Sequence, residues 1–242
     1  MSAIASQHAL VTGGNRGIGL AIARALEQRG ANVSIVSRSK PANRQAFFHA
    51  QADVGDAASL ERAFRDAVRA NGDIAILVNN AGIAESAPLR RTDRAMWDRI
   101  IGTNLTGTYL STRLVLDAML SAKWGRIVNI ASIAGLFGAP YIAAYAASKH
   151  GVMGLTRSLA AELHGTGVTV NAVCPGYTET DMMERAVANI VKRTGVTDAQ
   201  ARAGLAQTNP AGRLVTAEEV AEASVALIES DDNGCEVVLP PA

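Results

Sequence analysis

The sequence predicts an α/β protein built on a doubly wound parallel sheet, and three observations point to it. Short apolar runs alternate with helix-length segments, the runs are apolar nearly throughout rather than at every second residue, and a glycine-rich turn follows the first of them. At 242 residues the chain can bury one large core, and no linker-like stretch divides it. "HALVT", "NVSIVS", "AILVNNAG", "GRIVNIAS" and "GVTVNAVCPG" read as buried strands bounded by Gly, Asn or Ser, and "CEVVL" as a last one. Between them, "IGLAIARALEQRG", "ASLERAFRDAVRA", "NLTGTYLSTRLVLDAML" and "KHGVMGLTRSLAAELHG" place apolar residues three and four apart. Several of these close on a glycine, where a helix C-cap falls. Right-handed crossovers then make the strands parallel, with ligands expected beyond their carboxyl ends. From about 178 to 210 the rhythm breaks into two expected helices with no strand between, either a lid over a substrate or passive decoration.

Composition removes several function classes. The formal net charge is +1 and acidic and basic residues are interspersed, so neither a nucleic acid nor an anionic membrane is an expected partner; "LRRTDR" reads as solvated surface. Cys174 and Cys235 lie far apart without metal-ligand spacing, which suits a reducing compartment, packing roles and no metal site. The start "MSAIASQHALVTGG" lacks a basic stretch leading into an apolar run, and no segment reaches the roughly 18 uninterrupted apolar residues of a membrane span. A soluble, cytoplasmic protein is expected. His8, His49, His150 and His164 have neither a nucleophile elbow nor metal spacing nearby, and are expected at the surface or in packing.

Three local patterns carry chemistry. In "LVTGGNRGIGLAIA" the first strand turns into the first helix through Gly13, Gly17 and Gly19. Glycines there permit a tight turn and close approach of backbone to a pyrophosphate, whose charge the free N–H groups of a helix start favour. The spacing is Gly-x-x-x-Gly-x-Gly rather than Gly-x-Gly-x-x-Gly. In "AYAASKHGV", Tyr145 and Lys149 are one helical turn apart, either an ordinary surface pair or a proton-transfer unit. An ammonium about 4 Å from the phenol favours phenolate by roughly 4 kcal/mol at an effective dielectric of 20, about three pKa units below the usual value near 10. Ser132 ends "GRIVNIAS" and is either a turn former or a hydrogen-bonding group for a substrate oxygen.

Taken in order, "TGGNRGIG", "NNAG" at 79–82, Asn104, Ser132, Tyr145 with Lys149, and "PG" at 175–176 resemble the short-chain dehydrogenase/reductase family, over about residues 7 to 228. The likeness is to 3-oxoacyl reductase and ketoreductase members. It implies a single Rossmann-type domain, a nicotinamide cofactor and interconversion of alcohol and carbonyl. It also implies Tyr145 as general acid/base, Ser132 as its partner at the substrate oxygen and Lys149 at the nicotinamide ribose. Asn104 would hold, through its side chain, a water linking Lys149 to solvent; an Asn within a helix can equally bend it or bond to backbone. Cofactor contacts are implied at Gly13, Asn15, Arg16, Gly17, Ile18 and Gly19, at Ser37 and Arg38, at Asn80, Ala81 and Gly82, and at Pro175, Gly176, Thr178 and Thr180, besides Tyr145 and Lys149. Asp53 and Val54 resemble the adenine-contacting pair, with Asp53 as a helix cap the alternative. Substrate walls are expected from Ile133, Ala134, Tyr141 and Tyr177 beside Ser132 and Tyr145.

Arg38 follows Ser37 where an acidic residue would select NAD by repelling a 2′-phosphate; guanidinium instead binds phosphate bidentately. With Arg16 in the glycine turn this favours NADP(H) over NAD(H), unless both arginines simply face solvent. The expected substrate is a small carbonyl or alcohol, a ketone or 3-oxoacyl thioester undergoing reduction. An NAD-dependent secondary-alcohol or 3-hydroxyacyl-thioester dehydrogenase and a non-catalytic dinucleotide sensor are the alternatives. The family resemblance implies a homotetramer, but the C-terminal "NGCEVVLPPA" is shorter than the family's usual ending, where its subunit contact is often built, which leaves a dimer as the other outcome. The stretch from Arg38 to Asp53 leaves little room for a crossover helix.

Overall fold

The computed structural model describes residues 3–41 and 47–241. Its strands are β1 (His8–Thr12), β2 (Asn32–Ser37), β3 (Phe48–Gln51), β4 (Ile74–Asn79), β5 (Gly125–Ile130), β6 (Val168–Pro175) and β7 (Glu236–Leu239). The helices are α1 (Gly17–Gln28), α2 (Ala57–Asn71), α3 (Arg94–Ile101), α4 (Gly107–Ala122), α5 (Ala143–Glu162), α6 (Asp181–Thr194), α7 (Asp198–Gln207) and α8 (Ala217–Glu229). All strands join one sheet in the order β3-β2-β1-β4-β5-β6-β7, every neighbouring pair parallel.

Side-chain alternation explains why these strands are apolar throughout. Ala9 and Val11 enter one core with Val33, Ile35, Val78 and Ile130, while Leu10 enters the opposite core with Val36, Leu77 and Ile127. On the first face α1 and α8 contribute Ile22, Leu26, Val220 and Val225; on the second, α2, α4 and α5 contribute Leu60, Phe64, Val115 and Ala160. A strand buried on both faces has no polar side, so its period of two disappears from the sequence.

The chain winds outward from β1 to β3, then returns to the other side of β1 with β4. That reversal opens a crevice at the carboxyl ends of β1 and β4, where ligands bind in such sheets. Two helices, α6 and α7, fill the expected break and close a small core of Met183, Val187, Ala201 and Leu205. The connection from β2 to β3 expected to lack a helix includes 42–46, which lie outside the described residues. The pattern above omits β3, whose four residues bury only Ala50, and α3, a short helix that buries only Met96 and Ile100 and is capped by Asp93. The final strand is present, and the Leu239 carbonyl accepts the Gly176 N–H at 2.7 Å. Among the described residues no helix is long and apolar enough to cross a membrane.

Candidate active site

At the crevice, Gly13 and Gly17 adopt φ of 67° and 53°, in the left-handed region that glycine tolerates. A Cβ on Gly19 would lie 2.4 Å from the Gly13 carbonyl oxygen and 2.4 Å from Asn80 Nδ2, so the turn closes only around glycine. Helix α1 then starts without a side-chain cap and without an acidic residue in its first turn, leaving its leading N–H groups to an anion. This cradle fits a dinucleotide pyrophosphate. Ile18 packs half-buried on the core, and Asn15 Nδ2 donates to Ser39 Oγ at 3.2 Å.

The "NNAG" segment braces this turn. Asn80 and Ala81 both donate their backbone N–H to Thr12 Oγ1, at 3.0 and 3.1 Å, and Asn80 Nδ2 donates to the Thr12 carbonyl at 2.9 Å. Those backbone donors are therefore engaged by Thr12 rather than offered to the adenosine side. Gly82 continues toward the chemistry: a Cβ there would lie 3.4 Å from Asn104 Oδ1 and 3.8 Å from Lys149 Nζ.

Ser132, two residues beyond β5, accepts the Ala134 N–H at 3.1 Å, and its side chain stands near enough to the Tyr145 phenol to lower the pKa of that group. Tyr145 sits in the first turn of α5, whose start packs through Ala144 on Met96 and Ile100 of α3. One turn on, Lys149 is 5% exposed; its Nζ donates to the Ile130 carbonyl at 2.7 Å and stands 5.8 Å from the Tyr145 ring centre. Strand end and helix start thus bring serine, phenol and ammonium together beside the glycine turn.

Residues 7–190 match the family model described as short chain dehydrogenase. The chain belongs to the short-chain dehydrogenase/reductase family. It is 39% identical over 231 residues to D-beta-hydroxybutyrate dehydrogenase of Cupriavidus necator, covering 90% of this chain and 89% of that one. It is 38% identical over 230 residues to the 3-oxoacyl-[acyl-carrier-protein] reductase MabA of Mycobacterium avium, covering 95% and 85%. The crystal structure of a point variant of actinorhodin polyketide ketoreductase with NADPH superposes with a TM-score of 0.92 at 35% identity, over 99% of this chain and 97% of that one. As a short-chain dehydrogenase/reductase the protein is an oxidoreductase that interconverts carbonyl and alcohol with a nicotinamide dinucleotide.

In this short-chain dehydrogenase/reductase the electrostatics of Tyr145 depart from the sequence expectation. Burial raises the phenol above its usual range, the Ser132 hydrogen bond lowers it in part, and Tyr177 raises it again. The residue as a whole is half-buried. Lys149 adds no resolved stabilisation of the phenolate; burial instead brings its own pKa down to about 8. Loss of water outweighs the attraction because both groups are desolvated together and the ammonium is tied to the Ile130 carbonyl.

Asn104 is held within the protein. It lies in a π-helical turn, Gly102–Thr106, and both its amide hydrogens are used, on the Ile83 carbonyl at 2.9 Å and Ser148 Oγ at 3.0 Å. Its Oδ1 accepts the Ile83 N–H at 2.8 Å. No amide hydrogen remains for a water. Instead the side chain ties the segment after β4 to α5, since Ser148 Oγ donates onward to the Tyr145 carbonyl at 2.7 Å.

At the adenosine end, a shallow depression of about 430 Å³ is lined by Arg38, Gln51, Ala52, Asp53 and Ser59. Arg38 Nη1 lies 3.9 Å from Asp53 Oδ2, and Asp53 Oδ1 accepts the Gly55 N–H. The cap of α2 is Asp56, not Asp53. Ser37 turns inward: it is 6% exposed, donates to the Ser39 carbonyl at 2.8 Å and lies 3.0 Å from His49 Nε2. Val54 is buried against Gly107. Arg16 reaches Asp181 of α6 at 3.3 Å, and Thr180 passes close to Gly17.

Around the substrate side, Ile133 is half-buried, whereas Ala134 is buried with its N–H on Ser132. Tyr141 is 62% exposed, and its carbonyl accepts the Ala87 N–H. Past Pro175 and Gly176, Thr178 Oγ1 donates to the Gly176 carbonyl and Tyr177 packs on the α6–α7 core. Sequence reasoning misses Ser148, masked among small residues, and Asn209, which "TNPAG" presents as an ordinary turn residue.

Proposed function

We propose that the protein is an NADP(H)-dependent carbonyl reductase acting on a ketone or 3-oxoacyl-type substrate, with Tyr145 as the proton donor. The observation that carries this is the meeting of Tyr145 with Lys149, whose buried Nζ stands 5.8 Å from the ring centre, next to Ser132, while burial keeps the phenol protonated. When bound there, the nicotinamide supplies the hydride. The chain's own groups do the rest. Ser132 fixes the phenol and hydrogen-bonds the oxygen on which negative charge develops. Tyr145, an acid at neutral pH, delivers a proton to that oxygen. Lys149, with a pKa of about 8, is poised to hold a ribose hydroxyl and restore the phenol's proton. The α6–α7 segment acts as the lid.

Arg38 and Arg16 support the 2′-phosphate. Both are exposed guanidinium groups, Arg38 at the adenosine end and Arg16 in the glycine turn, and each faces one carboxylate that a phosphate would displace. The structural relative holds NADPH, and the two named relatives share an acyl skeleton oxygenated at its third carbon. A second reading, NAD(H)-dependent oxidation of a 3-hydroxy acid, draws on the carboxylates Asp53 and Asp181 already paired with those arginines. The test is turnover of 3-oxo esters, diketones, cyclic ketones and 3-oxoacyl thioesters with both cofactors. A lower KM for NADPH than for NADH is expected, and equal kinetics would overturn the NADP assignment. Tyr145→Phe should lose about 10²- to 10⁴-fold in kcat while still binding NADPH.

A further inference from the structure

We propose that Asn209 is a positioning residue: it locks Tyr177 between the α6–α7 segment and the catalytic floor, so that the Tyr177 ring is a fixed wall selecting the substituent on the carbonyl. This rests on Tyr145 as the proton donor. Asn209 lies just past α7 and is only 3% exposed. Its Oδ1 accepts the Tyr177 N–H at 2.7 Å, and its Nδ2 donates to the Tyr177 carbonyl at 3.0 Å and the Arg213 carbonyl at 2.7 Å. One side chain thus pairs with both backbone groups of Tyr177, as a neighbouring strand would.

The preceding turn is shaped to admit it. A Cβ on Gly176 would fall 2.2 Å from Asn209 Oδ1, so the amide closes against the turn with no room for a side chain. Val215 reinforces the lock by donating its N–H to the Tyr177 carbonyl at 3.0 Å. On the side-chain side, Tyr177 packs with Met183, Val187, Ala201 and Leu205, and it leaves the carboxyl end of β6 beside β5, the strand that leads to Ser132. Tyr177 therefore belongs at once to the covering helices and to the reacting end of the site. Removing the Asn209 amide leaves a buried N–H unpaired, which the chain relieves by shifting Tyr177.

The test measures NADPH reduction of one small and one bulky ketone by wild type, Asn209→Ala, Tyr177→Ala and the double variant, with NADPH affinity followed by fluorescence. Asn209→Ala is expected to change the bulky-to-small ratio of kcat/KM by about tenfold, mainly through KM, at unchanged NADPH affinity. In the Tyr177→Ala background it should change that ratio no further. Additive effects in the double variant, or equal losses on both ketones, overturn the proposal. Asn209→Asp, which keeps the acceptor and drops both donors, runs the same cycle if the alanine variant does not fold. Tyr145→Phe separates the two ideas: full turnover by that variant removes the proton donor itself, whereas an inactive Tyr145→Phe alongside additive Asn209 effects removes only the lock.

Discussion

At the scale of single residues, the central finding is a reversal of sign. Spacing alone places an ammonium one turn from a phenol and suggests that attraction dominates, yet burial raises the phenol and lowers the ammonium. The favourable force on the phenolate comes instead from Ser132. Ser132→Ala should therefore do two things. It should cost about 10²- to 10³-fold in kcat, as loss of an oxyanion donor does. It should also move the pKa governing alcohol oxidation upward, because that direction needs the phenolate which Ser132 favours. A kcat–pH profile in the oxidative direction checks the second effect; an unmoved or lowered limb would show that Ser132 does not hold the phenol. Residue identity and order made Ser132, Tyr145 and Lys149 legible in the sequence. The partners of Asn104 were not, because Ile83 and Ser148 reach it only once a strand exit and two helices meet.

Among elements, the β1–α1 turn has the least freedom. Gly19 meets backbone, the Gly13 carbonyl at 2.4 Å, rather than the end of a flexible side chain. Gly19→Ala must open the turn and displace the N–H groups of the proposed pyrophosphate site, so NADPH affinity should fall more than about tenfold. Far-ultraviolet circular dichroism should stay unchanged, and a variant binding NADPH normally would place the pyrophosphate elsewhere. The long periodic elements were readable for a physical reason: double-sided burial writes a continuous apolar run, and single-sided burial writes a helical stripe. Elements that bury one or two side chains write neither, which is why β3 and α3 escaped. Asp56 and Asp53 illustrate a finer limit. Both precede α2 with suitable capping chemistry, and only the backbone path decides that Asp56 accepts from Ala58 and Ser59.

For the whole molecule, the same two-sided sheet that aligns the site also buries titratable groups, and their protons feed back on stability. Lys149 has an ordinary pKa of 10.5 and a folded value of about 8. Below about pH 8 it is charged in both states, and the folded state bears the full burial penalty. Between about 8 and 10.5 the unfolded chain binds more protons, so stability rises with pH; above that the gain is complete. Cys174, packed against Met153 in the same core, works the other way. Its thiol is raised from 9.0 to about 11, so the unfolded chain ionises first and stability falls with rising pH across that window. At the opposite end of the sheet, His8 is lodged between the Gly72 carbonyl and Ser34, with its pKa lowered by burial. It costs stability as the pH drops from 6.5 through its folded value. Because the Cys174 slope overlaps that of Lys149, a wild-type curve alone cannot isolate the lysine, whereas the difference from Lys149→Met can. In urea titrations without nucleotide, Lys149→Met should be the more stable protein at about pH 7. Its advantage should shrink steadily from about pH 8 toward pH 10.5 as the wild-type lysine sheds its proton. A difference constant across that range would mean that the folded lysine keeps its proton as long as the unfolded one does, and a lysine poised near pH 8 to restore the proton proposed to leave Tyr145 would be lost.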